Sequence, residues 1–205
     1  GLRAARGGTV LIDGREVGAF KRVDDALAHG IAYVPEDRLT EGLHLDQSIA
    51  ENSVSRVVGD FAGPLGALDL RGLARQKEKG LSSMYVAGMK PENPAKSLSG
   101  GNQQKIVLIK WLASNPRILI LNCPTVGVDV GAKSDIHETV RRLAADKGVG
   151  VIVISDDILE IMQLCNRVII MKNGRFDYET PIADTTMEQL EARLAQEEAE
   201  RGAKA

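Results

Sequence analysis

The residues around Ser99 form the part of the sequence best suited to chemistry. They read Ser99-Gly100-Gly101-Asn102-Gln103, and Ser99 predicts the N-cap of a helix. The two glycines are expected to leave the first amide groups of that helix uncovered. Because a helix N-terminus presents unpaired N–H donors and the positive end of the helix dipole, this start predicts a phosphate-binding site.

A buried strand follows this helix closely in the sequence. Residues 118–121 are a continuous apolar run, which is typical of a strand buried on both faces of a parallel sheet. Pro116 must end the preceding helix, and the strand runs into Asn122 and Cys123 before a loop that contains Asp129. The elements that position the candidate phosphate-binding residues are therefore an amphipathic helix and the strand after it.

Together these two stretches resemble the motifs of the ATP-binding cassette (ABC) ATPases. Residues 98–104, Leu-Ser-Gly-Gly-Asn-Gln-Gln, resemble the family's signature motif, and residues 118–125 and 127–129 resemble its Walker B strand and D-loop. A capped helix before a core strand is the purely structural interpretation, but it does not explain the pairing of both motifs. The resemblance implies an α/β fold: a partial P-loop NTPase (RecA-like) core with a mainly parallel sheet and an inserted helical subdomain.

The overall composition limits the classes of function. With 205 residues, 43% of them hydrophobic, the chain suits one domain, or one domain with an inserted subdomain. The net charge of −2 argues against a nucleic-acid-binding protein that relies on general electrostatics. No apolar run could span a bilayer and the first residues do not have a signal-peptide pattern, so a membrane partner would be a separate chain. The two cysteines lie far apart without metal-ligand spacing, which favours a reducing cytosol.

The other elements predicted from the sequence alternate between strands and helices. In chain order they are a strand running into an Asp-Gly turn (8–14), a helix (22–29), a strand (31–34), a helix capped by Asp46 (46–58), a helix from Asp69 to about Ala87, a helix (132–147), a buried strand (151–154), a helix after Ser155, a hairpin (167–178) and a charged amphipathic helix after Thr186. We therefore expect an α/β core formed by residues 1–35 and 99–180, a helical signature subdomain at 36–98, and a C-terminal helix with a frayed tail at 181–205.

The loop after the strand at 31–34 carries Glu36. In ABC ATPases this loop usually holds a glutamine that senses Mg²⁺ and contacts the membrane partner, so the resemblance implies that Glu36 occupies this Q-loop position. Residues 34–38, Val-Pro-Glu-Asp-Arg, are similar to the second cassette of bacterial monosaccharide importers of the ribose, galactose and xylose type. The structural alternative is a solvated charged turn with an Asp37–Arg38 pair.

One motif of the family does not occur in the sequence. ABC ATPases bind nucleotide with a Walker A loop, G-x-x-x-x-G-K-[ST], whose backbone amides and lysine surround the phosphates. The dipeptide Gly-Lys is found nowhere in the 205 residues. We expect that the chain begins after this loop, either because the sequence is a fragment or because the protein lacks the loop.

The catalytic positions implied by the resemblance carry unusual residues. Asn122 stands where the Walker B carboxylate holds Mg²⁺, and a neutral amide is a poor ligand for a hard cation. Cys123 stands where a glutamate polarises the attacking water, and a thiol is a poor general base. Asp156 stands at the position of the switch histidine, and Val126 replaces an arginine usual in sugar importers. The resemblance therefore implies a degenerate half-site, with no metal held by the chain itself.

These residues also have simpler interpretations. Cys123 could be a small buried residue at the end of a strand, since no histidine lies near it in any motif. Asp156 and Asp157 could be a helix N-cap and a first-turn carboxylate. Asp135 and His137 are two positions apart on a predicted helix and do not share a face, so they are not expected to form a metal site.

The signature and D-loop positions, in contrast, match the family. Two cassettes meet head to tail in these ATPases, and the signature of each closes over the nucleotide that the other holds. The resemblance implies that Ser99 offers its hydroxyl, that the amides of residues 100–103 meet the γ-phosphate, and that Asp129 braces the partner's site. A cassette with a degenerate half-site could thus still complete one working site in its partner.

The resulting hypothesis is a nucleotide-binding domain of an ABC sugar importer that couples ATP binding and hydrolysis to sugar transport. ATP with Mg²⁺ would be contributed mainly by a partner cassette, in the same longer chain or in a separate one. The other partners implied are a transmembrane sugar permease and, indirectly, a sugar-binding protein, but no nucleic acid. The implied location is cytoplasmic, peripheral at the inner face of the cell membrane.

Three alternatives stay open at this point. The chain could be a fragment of an ordinary active ABC transporter ATPase, or a non-catalytic scaffold that couples to a permease or regulates it. It could also be a soluble ABC ATPase of repair or translation. The near-neutral charge and the sugar-importer-like residues 34–38 disfavour this last class.

Overall fold

The computed structural model describes residues 7–202, and side chains within the last helix as far as residue 195. Residues up to Ile152 form one unit, and residues from Val153 onwards form a second. No helix in the described part of the chain is long and apolar enough to cross a membrane. The division into core, helical subdomain and tail stays a prediction, and the fraying expected at the extreme C-terminus falls outside the described residues.

A short hairpin opens the described chain. β1 (Val10–Ile12) pairs antiparallel with β2 (Arg15–Val17). Asp13 and Gly14 form the turn between them, with φ angles of 51° and 72°. Aspartate and glycine are favoured in such turns because they tolerate positive φ. The strand and turn predicted at 8–14 are therefore confirmed.

The central sheet is built from apolar strands. β3 (Ile31–Val34) pairs in parallel with β4 (Ile118–Asn122), and the strand order is β3–β4–β5, with β5 at Gly150–Ile154. The fully buried residues of β3 and β4 are Ala32, Val34, Leu119 and Leu121. One face of β4 is fully buried, but Ile118 and Ile120 on the other face are only half-buried, so the expectation of burial on both faces holds only in part. The predicted α/β fold with a parallel sheet is confirmed.

β5 does not match the prediction of a buried strand. Its residues alternate between half-buried and exposed, and Ile152 and Ile154 are 52% and 49% exposed. β5 lies at the edge of the described three-stranded sheet. Composition could not reveal this difference, because an apolar run of this length is compatible with several degrees of burial.

The first unit contains five α-helices among the described residues, and one of them is buried by several neighbours. The five helices are α1 (Val23–Ala28), α2 (Ile49–Val54), α3 (Leu70–Ser82), α4 (Gly100–Leu112) and α5 (Val130–Lys147). A π-helical turn (Arg38–Gly42) follows β3. α4 contacts β3, α2, α3, α5 and the π-helical turn, which explains why residues 106–109 are at most 1% exposed. Contacts with these five elements therefore fix the position of α4.

The predicted cap of α2, Asp46, is wrong. Ser48 is the N-cap: its Oγ accepts a hydrogen bond from the amide of Glu51 at 3.1 Å, and the Glu51 carboxylate accepts one from the Ser48 amide at 3.0 Å. This reciprocal arrangement satisfies two amide groups at once. Asp46 instead forms an ion pair with Lys96 at 2.7 Å. The helix also ends at Val54, before its predicted end.

α3 is likewise shorter than the prediction. It begins after Asp69, whose Oδ1 accepts a hydrogen bond from the Gly72 amide at 2.9 Å, and it ends at Ser82. The amide and the hydroxyl of Ser83 both donate to the carbonyl of Gly80, at 3.1 and 2.6 Å. These two bonds close the last turn, so the predicted extension to about residue 87 is wrong.

The second unit contains a helix, a hairpin and the C-terminal helix. α6 spans Ile158–Leu164, and α7 spans Met187–Gly202. Between them, β6 (Arg167–Lys172) pairs antiparallel with β7 (Arg175–Pro181). The turn consists of Asn173 and Gly174, at φ angles of 50° and 75°, which explains its strong sequence signal. The predicted hairpin and both helices are confirmed.

Candidate functional site

The start of α4 is the accessible end of an otherwise buried helix. Ser99 is exposed and is the N-cap, with its Oγ accepting a hydrogen bond from the Asn102 amide at 3.4 Å. The predicted cap is therefore confirmed. The amide of Gln103 donates to the Ser99 carbonyl at 2.8 Å, and its side chain donates to the Leu98 carbonyl at 3.2 Å. The first amides of a helix have no acceptor within it, and those of Asn102 and Gln103 are bonded to Ser99. The groups that this helix start can offer to an anion are therefore the amides of residues 100 and 101 and the Ser99 hydroxyl.

Gly101 is required by packing as well as by its place in the motif. A Cβ atom on Gly101 would lie 2.5 Å from the Cβ of Ala132 and 2.8 Å from Oδ2 of Asp129. Gly101 is buried, because α5 and the residue that caps it approach the backbone of α4 closely. Close packing therefore requires glycine at position 101, a reason that adds to the predicted role of leaving amide groups uncovered.

Asp129, the predicted D-loop residue, caps its own helix. Its Oδ1 accepts a hydrogen bond from the Ala132 amide at 3.0 Å, and this fixes the start of α5. Its predicted role in bracing a partner's site stays a prediction. Val126 and Val130, on either side of the D-loop, are 52% and 87% exposed, so the residues that flank the D-loop present apolar surface.

Arg38 connects the segment after β3 to the D-loop. Its Nη1 donates to the Val126 carbonyl at 3.0 Å, and its Nη2 donates to the Gly127 carbonyl at 3.4 Å. A Cβ atom on Gly100 would lie 2.6 Å from the same Nη2. The partners of Arg38 lie 88 and 89 residues away along the chain, and no pattern in the local sequence signals them. The sequence therefore marks Arg38 as part of the loop at 34–38 but does not predict its contact with residues 126 and 127.

The charged turn after β3 differs from its structural interpretation, since Asp37 does not pair with Arg38 among the described residues. The Asp37 carboxylate accepts hydrogen bonds from the Thr40 hydroxyl at 2.8 Å and from the amides of Leu39 and Thr40 at 2.9 and 3.2 Å. These bonds, that of the Thr40 hydroxyl first, lower the pKa of Asp37. Glu36, at the Q-loop position, is exposed.

β4 ends in an amide and a thiol, both half-buried. Nδ2 of Asn122 donates to the hydroxyl of Tyr33 on β3 at 3.3 Å. Cys123 has a φ of 48°, a left-handed conformation that is uncommon for a residue other than glycine. Neither side chain provides a carboxylate oxygen. Asn122 offers only a neutral amide oxygen and Cys123 offers none, so this pair lacks the carboxylate through which Mg²⁺ is usually bound.

The predicted switch position, Asp156, lies in the second unit. Asp157 is the N-cap of α6: its Oδ1 accepts a hydrogen bond from the Glu160 amide at 3.0 Å, and its own amide donates to Ser155 Oγ at 3.1 Å. Asp156 is exposed and precedes the helix. The prediction that this aspartate pair supplies the helix cap is confirmed for Asp157, but Asp156 precedes the helix and the first-turn carboxylate is Glu160, not Asp157.

Asp135, considered above with His137, attaches α5 to α4. Its Oδ2 lies 2.6 Å from the Nζ of Lys105, which also donates to the Tyr85 carbonyl at 2.9 Å. Lys105 is only 3% exposed, and a buried ammonium group needs such partners to offset its desolvation. The ion pair therefore helps to fix the direction of the signature helix relative to α5.

Lys110 attaches the other side of α4 to the π-helical turn. Its Nζ donates to the carbonyl of Gly42, the last residue of that turn. Burial lowers the pKa of Lys110 from 10.5 to about 8. Between these pH values the unfolded chain binds more protons than the folded chain, so this group makes the free energy of unfolding rise with pH.

Replacing Lys110 with methionine is expected to remove this pH dependence. Methionine keeps an unbranched apolar side chain but has no proton to lose. The free energy of unfolding of the wild type should rise relative to that of Lys110→Met between about pH 8 and pH 10.5. Urea unfolding at several pH values measures this, with Lys79→Met, an exposed position on α3, as the control. A difference between wild type and Lys110→Met that stays constant with pH would contradict the lowered pKa.

Comparison with known proteins agrees with the motifs and the fold. The family model described as ABC transporter matches residues 1–126. The chain is 36% identical over 190 residues to the ribose import ATP-binding protein RbsA of Bacillus licheniformis, covering 93% of this chain and 38% of that protein. It is 40% identical over 194 residues to the xylose import ATP-binding protein XylG of Pectobacterium atrosepticum, covering 93% and 37%. The chain thus spans little more than a third of the length of these curated relatives.

A solved structure shows the same fold. The dimeric structure of a bacterial ABC transporter cassette superposes with a TM-score of 0.73 at 21% identity, covering 88% of this chain and 76% of that one. The family model extends over more than half of the chain and includes the capped start of α4 and the strand β4. The chain therefore belongs to the ABC transporter family, with the fold of its ATP-binding cassettes.

Proposed function

We propose that the chain is a cassette of an ABC-type sugar importer that completes the ATP site of a partner cassette. The names of its relatives, ribose and xylose import ATP-binding proteins, support the class of solute. The observation that carries the proposal is the start of α4, where an exposed Ser99 hydroxyl stands at the positive end of a helix. The backbone amides of Gly100 and Gly101 would add donors toward a γ-phosphate held by the other cassette, while those of Asn102 and Gln103 are already bonded to Ser99.

In this proposal the chain's own half-site is degenerate. The four positions that depart from the family's usual residues are Glu36, Asn122, Cys123 and Asp156. The Asn122 amide is bonded to the Tyr33 hydroxyl, and neither Asn122 nor Cys123 supplies a carboxylate. ATP with Mg²⁺ would therefore be held mainly by the partner cassette, and the residues at the end of β4 would not hold the metal.

The proposed role defines the partners. They are a second cassette, in the same longer chain or in a separate one, a transmembrane sugar permease and, indirectly, a sugar-binding protein. The chain would work in the cytoplasm, bound peripherally at the inner face of the cell membrane. The coding sequence upstream of Gly1 distinguishes this role from that of a fragment of an ordinary active ATPase, because it shows whether a Walker A loop precedes these residues.

The isolated chain is expected to release phosphate from ATP no faster than buffer does. Asn122→Asp combined with Cys123→Glu should not change this, because the 205 residues still provide no phosphate-binding loop. The control is the same pair of substitutions in a chain extended upstream by a Walker A loop, where the rate should rise. Steady hydrolysis by the unextended chain, abolished by changing Ser99, would show that it has a working site of its own.

A further inference from the structure

The guanidinium of Arg38 lies between the two elements that the proposed function presents to a partner cassette. It donates to the successive carbonyls of Val126 and Gly127, at 3.0 and 3.4 Å. A Cβ on Gly100 would lie 2.6 Å from its Nη2, and a Cβ on Gly127 would lie 3.5 Å from the same atom. One side chain therefore contacts both the D-loop turn and the first residue of the signature helix.

The segment that carries Arg38 is fixed at both of its ends. At its start, Asp37 accepts hydrogen bonds from the amides of Leu39 and Thr40. At its end, the carbonyl of Gly42 accepts a hydrogen bond from Lys110 of α4. A Cβ on Gly42 would also lie 3.0 Å from Cγ2 of Val107, on the same helix. The π-helical turn is thus attached to the helix whose first turn carries Ser99, and this limits the directions that Arg38 can take.

Arg38 forms no ion pair with a carboxylate among the described residues, although its charge is a minor cause of the lowered pKa of the adjacent Asp37, after the hydrogen bonds of the Thr40 hydroxyl and of the Leu39 and Thr40 amides. Its hydrogen bonds go to the carbonyls of Val126 and Gly127, and its Nε is buried without a partner in the described residues. Arginine usually uses its planar fork for carboxylates or phosphates. Here the fork bridges two adjacent carbonyls of one turn, a geometry that the single ammonium of lysine cannot reproduce.

We propose that Arg38 is a positioning residue that holds the D-loop turn at 126–127 against the start of the signature helix. The inference rests on the proposed function, because it concerns how both elements meet a nucleotide held by the partner. Arg38 acts through the carbonyls of Val126 and Gly127. Its loss should therefore misplace groups that stabilise the transition state, and lower kcat more than it changes KM.

The test is ATP turnover by the importer reassembled from this chain, its partner cassette and the permease. Arg38→Ala is expected to lower kcat by about tenfold to a hundredfold, while KM for ATP changes by less than about threefold. Arg38→Lys should recover only part of kcat, because an ammonium cannot bridge both carbonyls. Guanidinium ion added at millimolar concentration should raise the kcat of Arg38→Ala, whereas methylammonium should not.

Arg142→Ala is the matched control. Arg142 lies on α5 with 57% of its side chain exposed and faces Glu138 at 3.9 Å, so its loss should leave both kinetic constants unchanged. An Arg38→Ala variant with the same kcat as Arg142→Ala would overturn the inference. Full activity of Arg38→Lys would also overturn it, because charge alone would then suffice.

Amide hydrogen exchange in the full chain separates this inference from the proposed function. In Arg38→Ala, the amides of residues 99–103 and 125–129 should exchange faster than in Arg142→Ala, and unchanged exchange would overturn the inference. Ser99→Arg, assayed in the same importer, tests the proposed function itself. If Ser99→Arg leaves turnover unchanged, the proposed composite site is wrong. In that case the amide exchange rates of Arg38→Ala alone decide whether Arg38 holds the D-loop in place.

Discussion

Changing Ser99 to arginine is expected to silence ATP turnover at the partner cassette, with sugar uptake falling by about a hundredfold or more. Ser99 stands at the exposed start of α4, and its hydroxyl is the cap of that helix. Arginine has a charge of the right sign for a phosphate, but it removes this hydroxyl. Its larger side chain should also keep the two cassettes from coming close enough for hydrogen bonds to the γ-phosphate to form.

The fold should survive this substitution, because an exposed cap contributes only about 1 kcal/mol to a domain stability of roughly 5–15 kcal/mol. ATPase activity and uptake by the reassembled importer measure the effect, and circular dichroism checks the fold. Ser82→Arg, at an exposed position at the end of α3, is the control with the same change in size and charge. Unchanged uptake in Ser99→Arg would mean that the chain completes no composite site, and the scaffold interpretation would replace ours.

Gly101→Ala is expected to destabilise the chain by about 1–3 kcal/mol, although alanine is the better helix former. The new methyl group would lie 2.5 Å from the Cβ of Ala132 and 2.8 Å from Oδ2 of Asp129. The Cβ of Ala132 is attached directly to the backbone of α5, and the Asp129 carboxylate is held by its hydrogen bond to the Ala132 amide. Neither group can therefore move aside by rotating a flexible side chain. α4 and α5 must therefore separate to admit the methyl group, and urea unfolding measures the cost.

A double-mutant cycle with Ala132→Gly isolates this contact. Removing the Ala132 methyl group makes room, so Gly101→Ala should cost at least about 1 kcal/mol less in that background. Gly59→Ala is the control, since a Cβ at Gly59 meets nothing within 4 Å, and its effect should be within about 0.5 kcal/mol of zero. Strictly additive effects of Gly101→Ala and Ala132→Gly would contradict the close approach of the two helices.

Sequence alone determined the features whose stabilising groups are neighbours along the chain. The cap at Ser99 is predictable because its hydroxyl accepts from an amide three residues later. The turns at Gly14 and Gly174 are predictable because each follows a residue that tolerates positive φ. The apolar run at 118–121 identifies the central strand, and its spacing from the signature residues identifies the family.

Predictions were wrong where two nearby residues could fill the same role, or where the burial of a strand depends on elements distant in the sequence. Asp46 and Ser48 are both acceptable caps, and the carboxylate of Glu51, which reaches back to Ser48, decides between them. The S-x-x-E pattern was available in the sequence, so this cap could have been found. The exposure of Ile152 and Ile154 could not, because it depends on which elements lie beside β5.

Only the tertiary structure decided what surrounds the signature residues. Burial of α4 against its neighbours brings Gly101 within reach of Ala132, a distance that no periodicity encodes. The same packing places Arg38 beside carbonyls 88 and 89 residues away. Sequence shows which groups the signature helix carries, because capping and helix formation are local. The approach of the D-loop and Arg38 to that helix is a consequence of packing, which hydrophobic burial of the whole unit determines.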